Sequence, residues 1–292
     1  MSKLKLRATC VAAFALAALG AVPAAVAGDP STRDWIPAPP GTNVIALYGL
    51  DLRSRGFYEA GQRVDGVKVD VRGLVYRQMH YRELWGKTVQ MEFILPVLRT
   101  RVDVTGAPRE QLTGAGDLTL GTAVWLHNDE KTRTWFAWEP FITLPVGRYH
   151  SSQPDTSPGK NRWSTVQDLA FVKGVGESSF LEAVAELEIY GRNSNWMGQT
   201  LKKRPSWRFF AMASTDLGAN THAGVRYRFE TGGRETLGGQ PFLPSAKRHQ
   251  LALELTHQIA PAHQLQLQYV HDLKVDDGPK LRGVQLRYAY IF

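Results

Sequence analysis

Apolar and polar side chains alternate with a period of two along most of the chain. That spacing gives a β-strand one apolar and one polar face. The last dozen residues show it most cleanly: Val284, Leu286, Tyr288, Tyr290 and Phe292 alternate with Gly283, Gln285, Arg287, Ala289 and Ile291. Residues 180–190 are nearly as regular, with Leu181, Ala183, Ala185, Leu187 and Ile189 opposite Glu182, Glu186 and Glu188. About twelve strands are predicted, at 42–52, 68–79, 88–98, 117–126, 132–144, 165–173, 180–190, 207–216, 221–230, 249–258, 263–272 and 281–292. In the second, Val69, Val71 and Val75 form the apolar face opposite Asp70, Arg72 and Tyr76. In the third, Met91, Phe93 and Leu95 oppose Gln90 and Glu92; in the fifth, Phe136, Trp138 and Ile142 oppose Glu139 and Thr143. The sixth alternates poorly.

The connections carry a second signal. HNDEK, GVGES, LGAN and IAPA are tight turns rich in Gly, Asn, Asp or Pro, whereas 53–67, 100–116, 147–162, 191–205 and 231–247 are long and polar. Short and long connections alternate almost throughout. An up-and-down outer-membrane barrel sorts its loops this way, with short periplasmic turns and long external loops, and a soluble sandwich has no reason to. The predicted fold is therefore all-β: a closed, transmembrane, up-and-down antiparallel barrel over residues 42–292. An even strand count returns both termini to the side of the short turns, so both are expected in the periplasm. Residues 28–41 carry prolines at 30, 37, 39 and 40, which forbid a ladder. They are expected to form a periplasmic lead-in or a small plug folded up into the lumen.

In such a barrel the apolar face meets lipid and the polar face lines the lumen. The polar face is too charged for a dry core, since an unpaired buried carboxylate costs several kcal/mol. The residues expected to line the pore are Glu92, Glu139, Glu182, Glu186, Glu188, Arg208, Arg226, Arg228, Glu254 and Gln266. Arg208, Arg226 and Arg228 have the parity to pair with the three glutamates of the seventh strand. The result is either an internal salt-bridge ladder that stiffens the wall or a charged constriction that selects solutes. Trp125, Trp135, Trp138, Trp207, Tyr227, Tyr269, Tyr288 and Tyr290 fall near strand ends and suit interfacial girdles.

Composition adjusts this picture at the N-terminus. Lys3, Lys5 and Arg7 precede an apolar run, and Ala25-Val26-Ala27 fits a cleavage site, so residues 1–27 read as a signal peptide. Its removal takes away the single cysteine, Cys10, and three positive charges, leaving a net charge of +5 from +8. The mature chain can form no internal disulfide. The remaining charges are scattered in both signs, which argues against nucleic acid as a partner. No apolar stretch of the mature chain reaches the roughly 20 residues of a membrane helix, whereas barrel strands need about half that.

Catalytic chemistry finds little support. No HExxH and no Cys/His cluster occurs, and the one close Ser/His group, His150-Ser151-Ser152, lies in a long loop without an identifiable orienting acid. Neither an enzymatic activity nor a cofactor or metal site is expected. An outer-membrane enzyme acting on lipid and a non-transporting structural or adhesive barrel are the alternatives to a channel.

The C-terminal strand, ending on an aromatic carboxyl terminus, resembles the assembly signal of bacterial outer-membrane proteins. The run Gly114-Ala-Gly-Asp-Leu-Thr-Leu-Gly121, together with Pro-Pro-Gly-Thr-Asn at 39–43, is similar to the outer-membrane protein family of the meta-pathway of phenol degradation. That resemblance implies an outer-membrane, porin-like transporter for passive uptake of small hydrophobic or aromatic compounds. Expected partners are outer-membrane lipid and lipopolysaccharide around the wall, the barrel-assembly machinery at the C-terminal strand, and a small-molecule solute.

Overall fold

Twelve antiparallel strands run up and down and close on themselves in the computed structural model, which describes residues 29–292. The signal peptide read at 1–27 lies outside the described residues. The barrel strands are β1 (Asn43–Ser54), β2 (Val67–Leu84), β3 (Lys87–Val104), β4 (Leu118–Asp129), β5 (Thr134–Leu144) and β6 (Ser164–Val175). They continue with β7 (Ser179–Tyr190), β8 (Ser206–Gly218), β9 (Thr221–Gly232), β10 (Ala246–Ala260), β11 (His263–Val275) and β12 (Arg282–Ile291). Each pairs with its sequence neighbours, and β1 closes the ring on β12 from Val44 opposite Ile291 to Arg53 opposite Arg282. Closure leaves no edge, which is how a sheet satisfies its backbone in hydrocarbon.

The turns at 85–86, 130–133, 176–178, 219–220 and 261–262 lie at the end where Asn43 meets Phe292. The first is a two-residue hairpin in which Trp85 and Gly86 both take positive φ, 52° and 68°. Two left-handed residues give a turn whose twist matches the strands it joins.

At the opposite end, segments expected to be irregular hold further strands. Phe57–Glu59, Gln62–Val64 and Gly278–Pro279 form one small sheet; Asn193–Trp196, Gln199–Lys203, Glu235–Leu237 and Gln240–Leu243 form another. Residues Glu110–Ala115 extend the wall beside β3. The sixth strand, weak in the sequence, is fully paired on both sides. Its alternation fades because its outward face mixes Gln167 and Lys173 with Leu169 and Phe171, while Ala170 and Val172 sit inside.

Polarity follows the expected rule around most of the wall. Leu181, Phe209, Val225, Leu253, Leu267 and Leu286 point outward and are exposed. It inverts in one sector. β2 and β3 are 18 residues each, against 10 to 15 for the others. In their upper halves the valines expected to face lipid, Val69, Val71 and Val75, turn inward and are buried, with Leu98 and Val102 from β3. Lys68, Arg72 and Arg99 point out. The switch falls at Leu74 and Val97, the last exposed apolar residues of these two strands on that side. Below it the medium outside the wall is hydrocarbon; above it the medium is water, and the strands pack as in a soluble protein.

Candidate functional site

The barrel interior is built around the N-terminal segment. From Gly41, whose N–H donates to Tyr81 O, the chain passes back through Trp35 to Asp29 inside the ring of strands. Its prolines preclude a ladder, so it is held mainly by side chains. Trp125 Nε1 donates to Trp35 O at 2.9 Å. Asp34 pairs with Arg287 at 3.0 Å and lies 3.9 Å from Arg77. The Arg33 N–H donates to Glu182 at 2.7 Å, and its guanidinium lies over the Phe180 ring. Thr32 donates twice to Glu254 Oε2, from N at 2.9 Å and from Oγ1 at 2.8 Å, while Ser31 Oγ donates to Gln266 at 3.0 Å.

Asp29 is the deepest anchor. Its carboxylate accepts from Arg228 at 2.7 Å, with Arg226 at 3.2 Å and Arg208 at 3.8 Å. Arg226 also donates to Pro30 O at 2.6 Å. This corrects the expected pairing: Arg208 does bridge to Glu186 and Glu188 of the next strand, but Arg226 and Arg228 grip the N-terminal segment instead. They sit two strands away from the glutamates, across β8, and Asp29 reaches them first.

All ten residues expected to line the pore lie on inward faces. Glu92, Glu139, Glu182, Glu186, Arg226, Arg228, Glu254 and Gln266 are buried, and Glu188 and Arg208 are half-buried. Five more groups complete the constellation and escaped the sequence reading: Asp29, Asp34, Arg77, Asp168 and Arg287. Parity alone could have added Arg287, which alternates with Leu286 and Tyr288. Trp125 and Trp135, expected in the girdles, are buried inside instead. Both stand beside the segment: Trp125 bonds it, and Trp135 packs on Phe180. Trp138, Trp207, Tyr227, Tyr269, Tyr288 and Tyr290 do project from the outer wall.

Glu139, Asp168, Glu186 and Arg208 face one another in turn across four strands. Glu139 Oε1 and Asp168 Oδ1 have no hydrogen-bond partner. They line a small cavity between the segment and the wall, bounded also by Trp35, Arg77, Trp125 and Phe141. It has room for water but not for an aromatic ring.

At the end opposite the termini one long loop packs inward. Residues 154–159 of the loop between β5 and β6 are buried, and Met197 N donates to Ser151 O to tie that loop to the four-stranded sheet. Burial pushes the Asp155 carboxyl well above the usual carboxylate range, and burial brings the Lys160 amine down to about 8. The His150 backbone N–H donates to the Ser157 hydroxyl oxygen here, so the imidazole takes no part in the contact. Among the described residues no group of three or more His, Cys, Asp or Glu could hold a metal ion.

The fold is shared with solved barrels. An outer membrane channel from Pseudomonas putida F1 matches with a TM-score of 0.86 at 22% identity, over 90% of this chain and 100% of that one. The transport unit of the autotransporter AIDA-I from Escherichia coli gives 0.57 at 10% identity, over 98% of this chain and 97% of that one. The beta domain of the Bordetella autotransporter BrkA gives 0.53 at 11% identity, over 87% and 99%. At these identities the likeness concerns the fold. No curated protein matches in sequence. The family model described as "Putative MetA-pathway of phenol degradation" matches residues 53–288, most of the barrel, and the chain belongs to that family.

Proposed function

We propose that this protein is a passive outer-membrane channel for small apolar or aromatic compounds, gated by its own N-terminal segment. The observation that carries the reading is the composition of the interior. Its upper part, on β1 to β3, is lined by Leu50, Leu52, Val69, Val71, Val75 and Leu98, and its centre is filled by residues 29–36. The apolar sector on β1 to β3 offers an apolar solute a matching surface beside the charged wall of the other strands. Membership of a phenol-degradation family supports the same solute class.

In this mechanism residues 28–41 act as a plug. Ion pairs and hydrogen bonds hold residues 29–34 and Trp35 packs in an apolar cluster with Trp125, Trp135 and Phe180, but no ladder joins the segment to the wall, so it can leave its seat without breaking strand pairing. Solute then passes the carboxylates and arginines of the lumen, including Glu92, Glu139, Glu182, Glu186, Arg226 and Arg228. Both termini face the periplasm, because the short turns lie at that end. The wall contacts outer-membrane lipid and lipopolysaccharide, and β12, ending in Phe292, is the strand presented to the assembly machinery.

Liposome swelling with the purified barrel tests transport. Phenol or toluene should pass and sucrose should not, and deletion of 29–38 should speed the aromatic. Passage of neither, with or without the segment, would count against a channel. The filled centre and the buried loop residues 154–159 favour a second reading, a non-transporting barrel whose external loops bind a partner; zero conductance in planar bilayers after the same deletion would support it.

A further inference from the structure

The sector where polarity inverts carries an arginine row on its outer wall. On the outward face, β12 begins at Arg282, β1 carries Asp51 and Arg53, β2 carries Arg72, and β3 carries Arg99. These side chains stand about 7 Å along the strand, two residues, above the exposed apolar residues Val284, Leu74 and Val97. The register sets like charges opposite one another: Arg53 faces Arg282, and Arg72 faces Arg99. Such pairs destabilise a sheet unless an anion lies between them. Two carboxylates stand among them: Asp51 is shared by Arg53 at 2.7 Å and Arg72 at 3.1 Å, and Asp70, opposite Arg53 on β2, pairs with Arg55 at 2.8 Å. Among the described residues neither Arg99 nor Arg282 has a carboxylate within ion-pair distance. At the same end of β4 to β9 the outward positions are uncharged, Leu120, Ile142, Gln167, Ile189, Trp207 and Phe229, while β10 and β11 carry Lys247 and Lys274, the latter paired with Asp276 at 3.5 Å.

We infer that this row is a docking surface for a phosphorylated glycolipid of the outer leaflet, of the lipid A class. The inference rests on the orientation given above, with the long loops outside. Guanidinium groups bind phosphate oxygens in paired, parallel hydrogen bonds, and they do so best where the anion is partly desolvated. A soluble phosphate would meet only the row. A lipid places its acyl chains on Val284, Leu286 and Leu74 while its phosphates reach Arg72, Arg99 and Arg282, so both halves of the surface are used. A diphosphorylated head would separate the two like-charge arginine pairs and supply the counter-charge that Arg99 and Arg282 lack.

The test uses the mature full-length protein in detergent, titrated with diphosphorylated lipid A and followed by native mass spectrometry. Phosphatidylethanolamine and inorganic phosphate serve as controls. Lipid A should bind, and R72Q/R99Q/R282Q should weaken it about tenfold or more, while that variant keeps the heat-modifiable gel shift of a folded barrel. Equal binding to wild type and variant, or equal binding of phosphatidylethanolamine, would overturn the docking surface. Competition by millimolar inorganic phosphate with no added gain from the lipid would overturn the lipid as occupant. Orientation is read separately from S194C, labelled in intact cells with an impermeant maleimide; label taken up only after lysis would overturn the outer-leaflet location and leave the binding data to stand alone.

Discussion

Asp29 has no exposed side-chain surface and neutralises two arginines that are themselves buried. Removing one partner of a buried ion pair leaves uncompensated charge, at a cost of about 3–5 kcal/mol. D29A should therefore unseat the N-terminal segment rather than unfold the barrel. The expected result is a several-fold rise in single-channel conductance and new protease cleavage within residues 29–38, with the gel shift of the folded barrel retained. Gly224 tests the same seat from the wall. It needs no special backbone conformation, yet a Cβ there would lie 2.5 Å from Thr32 Oγ1 and 2.7 Å from its Cγ2. G224V should displace the segment as D29A does, and T32G should restore the closed state. Equal conductance for G224V and wild type would mean that the segment yields locally without leaving.

At the scale of the strand, one alternating pattern serves two environments. Leu286, in the apolar band of β12, meets lipid, and Arg72, beyond the band on β2, meets water. L286R should cost about 2–4 kcal/mol in vesicle-based unfolding, falling toward zero for positions near the interface. R72L should change stability by under about 1 kcal/mol. V71D, which would point a carboxylate into the packed upper interior, should cost several kcal/mol. If V71D proves mild and R72L severe, the inverted sector is misassigned. The loop at 145–163 carries its own pH dependence. The Lys160 amine, near 8 when the loop is packed, would be near 10.5 when released. Between those values the released state binds more protons, so packing strengthens as pH rises from about 8 to 10.5. Amide protection factors in this loop, corrected for the intrinsic base-catalysed rate, should rise across that range, and K160M should abolish the rise.

As a whole molecule the protein is a closed wall, a segment inside it and a cap of small sheets. Deleting residues 29–38 should leave barrel assembly intact and raise conductance above that of either point variant, because it removes every anchor at once. The wall was legible in the sequence. Twelve strands and the alternation of short and long connections follow from neighbours two residues apart and from local turn chemistry, as in residues 180–190 and at Trp85-Gly86. Most of the lumen set was legible too, since inward parity alone marks Glu182, Glu186, Arg226 and Arg228. Period two says which residues share a face but is silent on the medium each face meets. The height of β2 and β3 relative to the bilayer therefore reversed the reading of Val69, Val71 and Val75. The partner of Arg228 was equally out of reach, because Asp29 lies 199 residues away along the chain and meets it only once the ring has closed around the segment. Sequence determined the faces and the count; tertiary structure decided which face is wet, because that depends on each residue's height relative to the membrane plane, and what fills the centre, because that depends on which distant residues ring closure brings together.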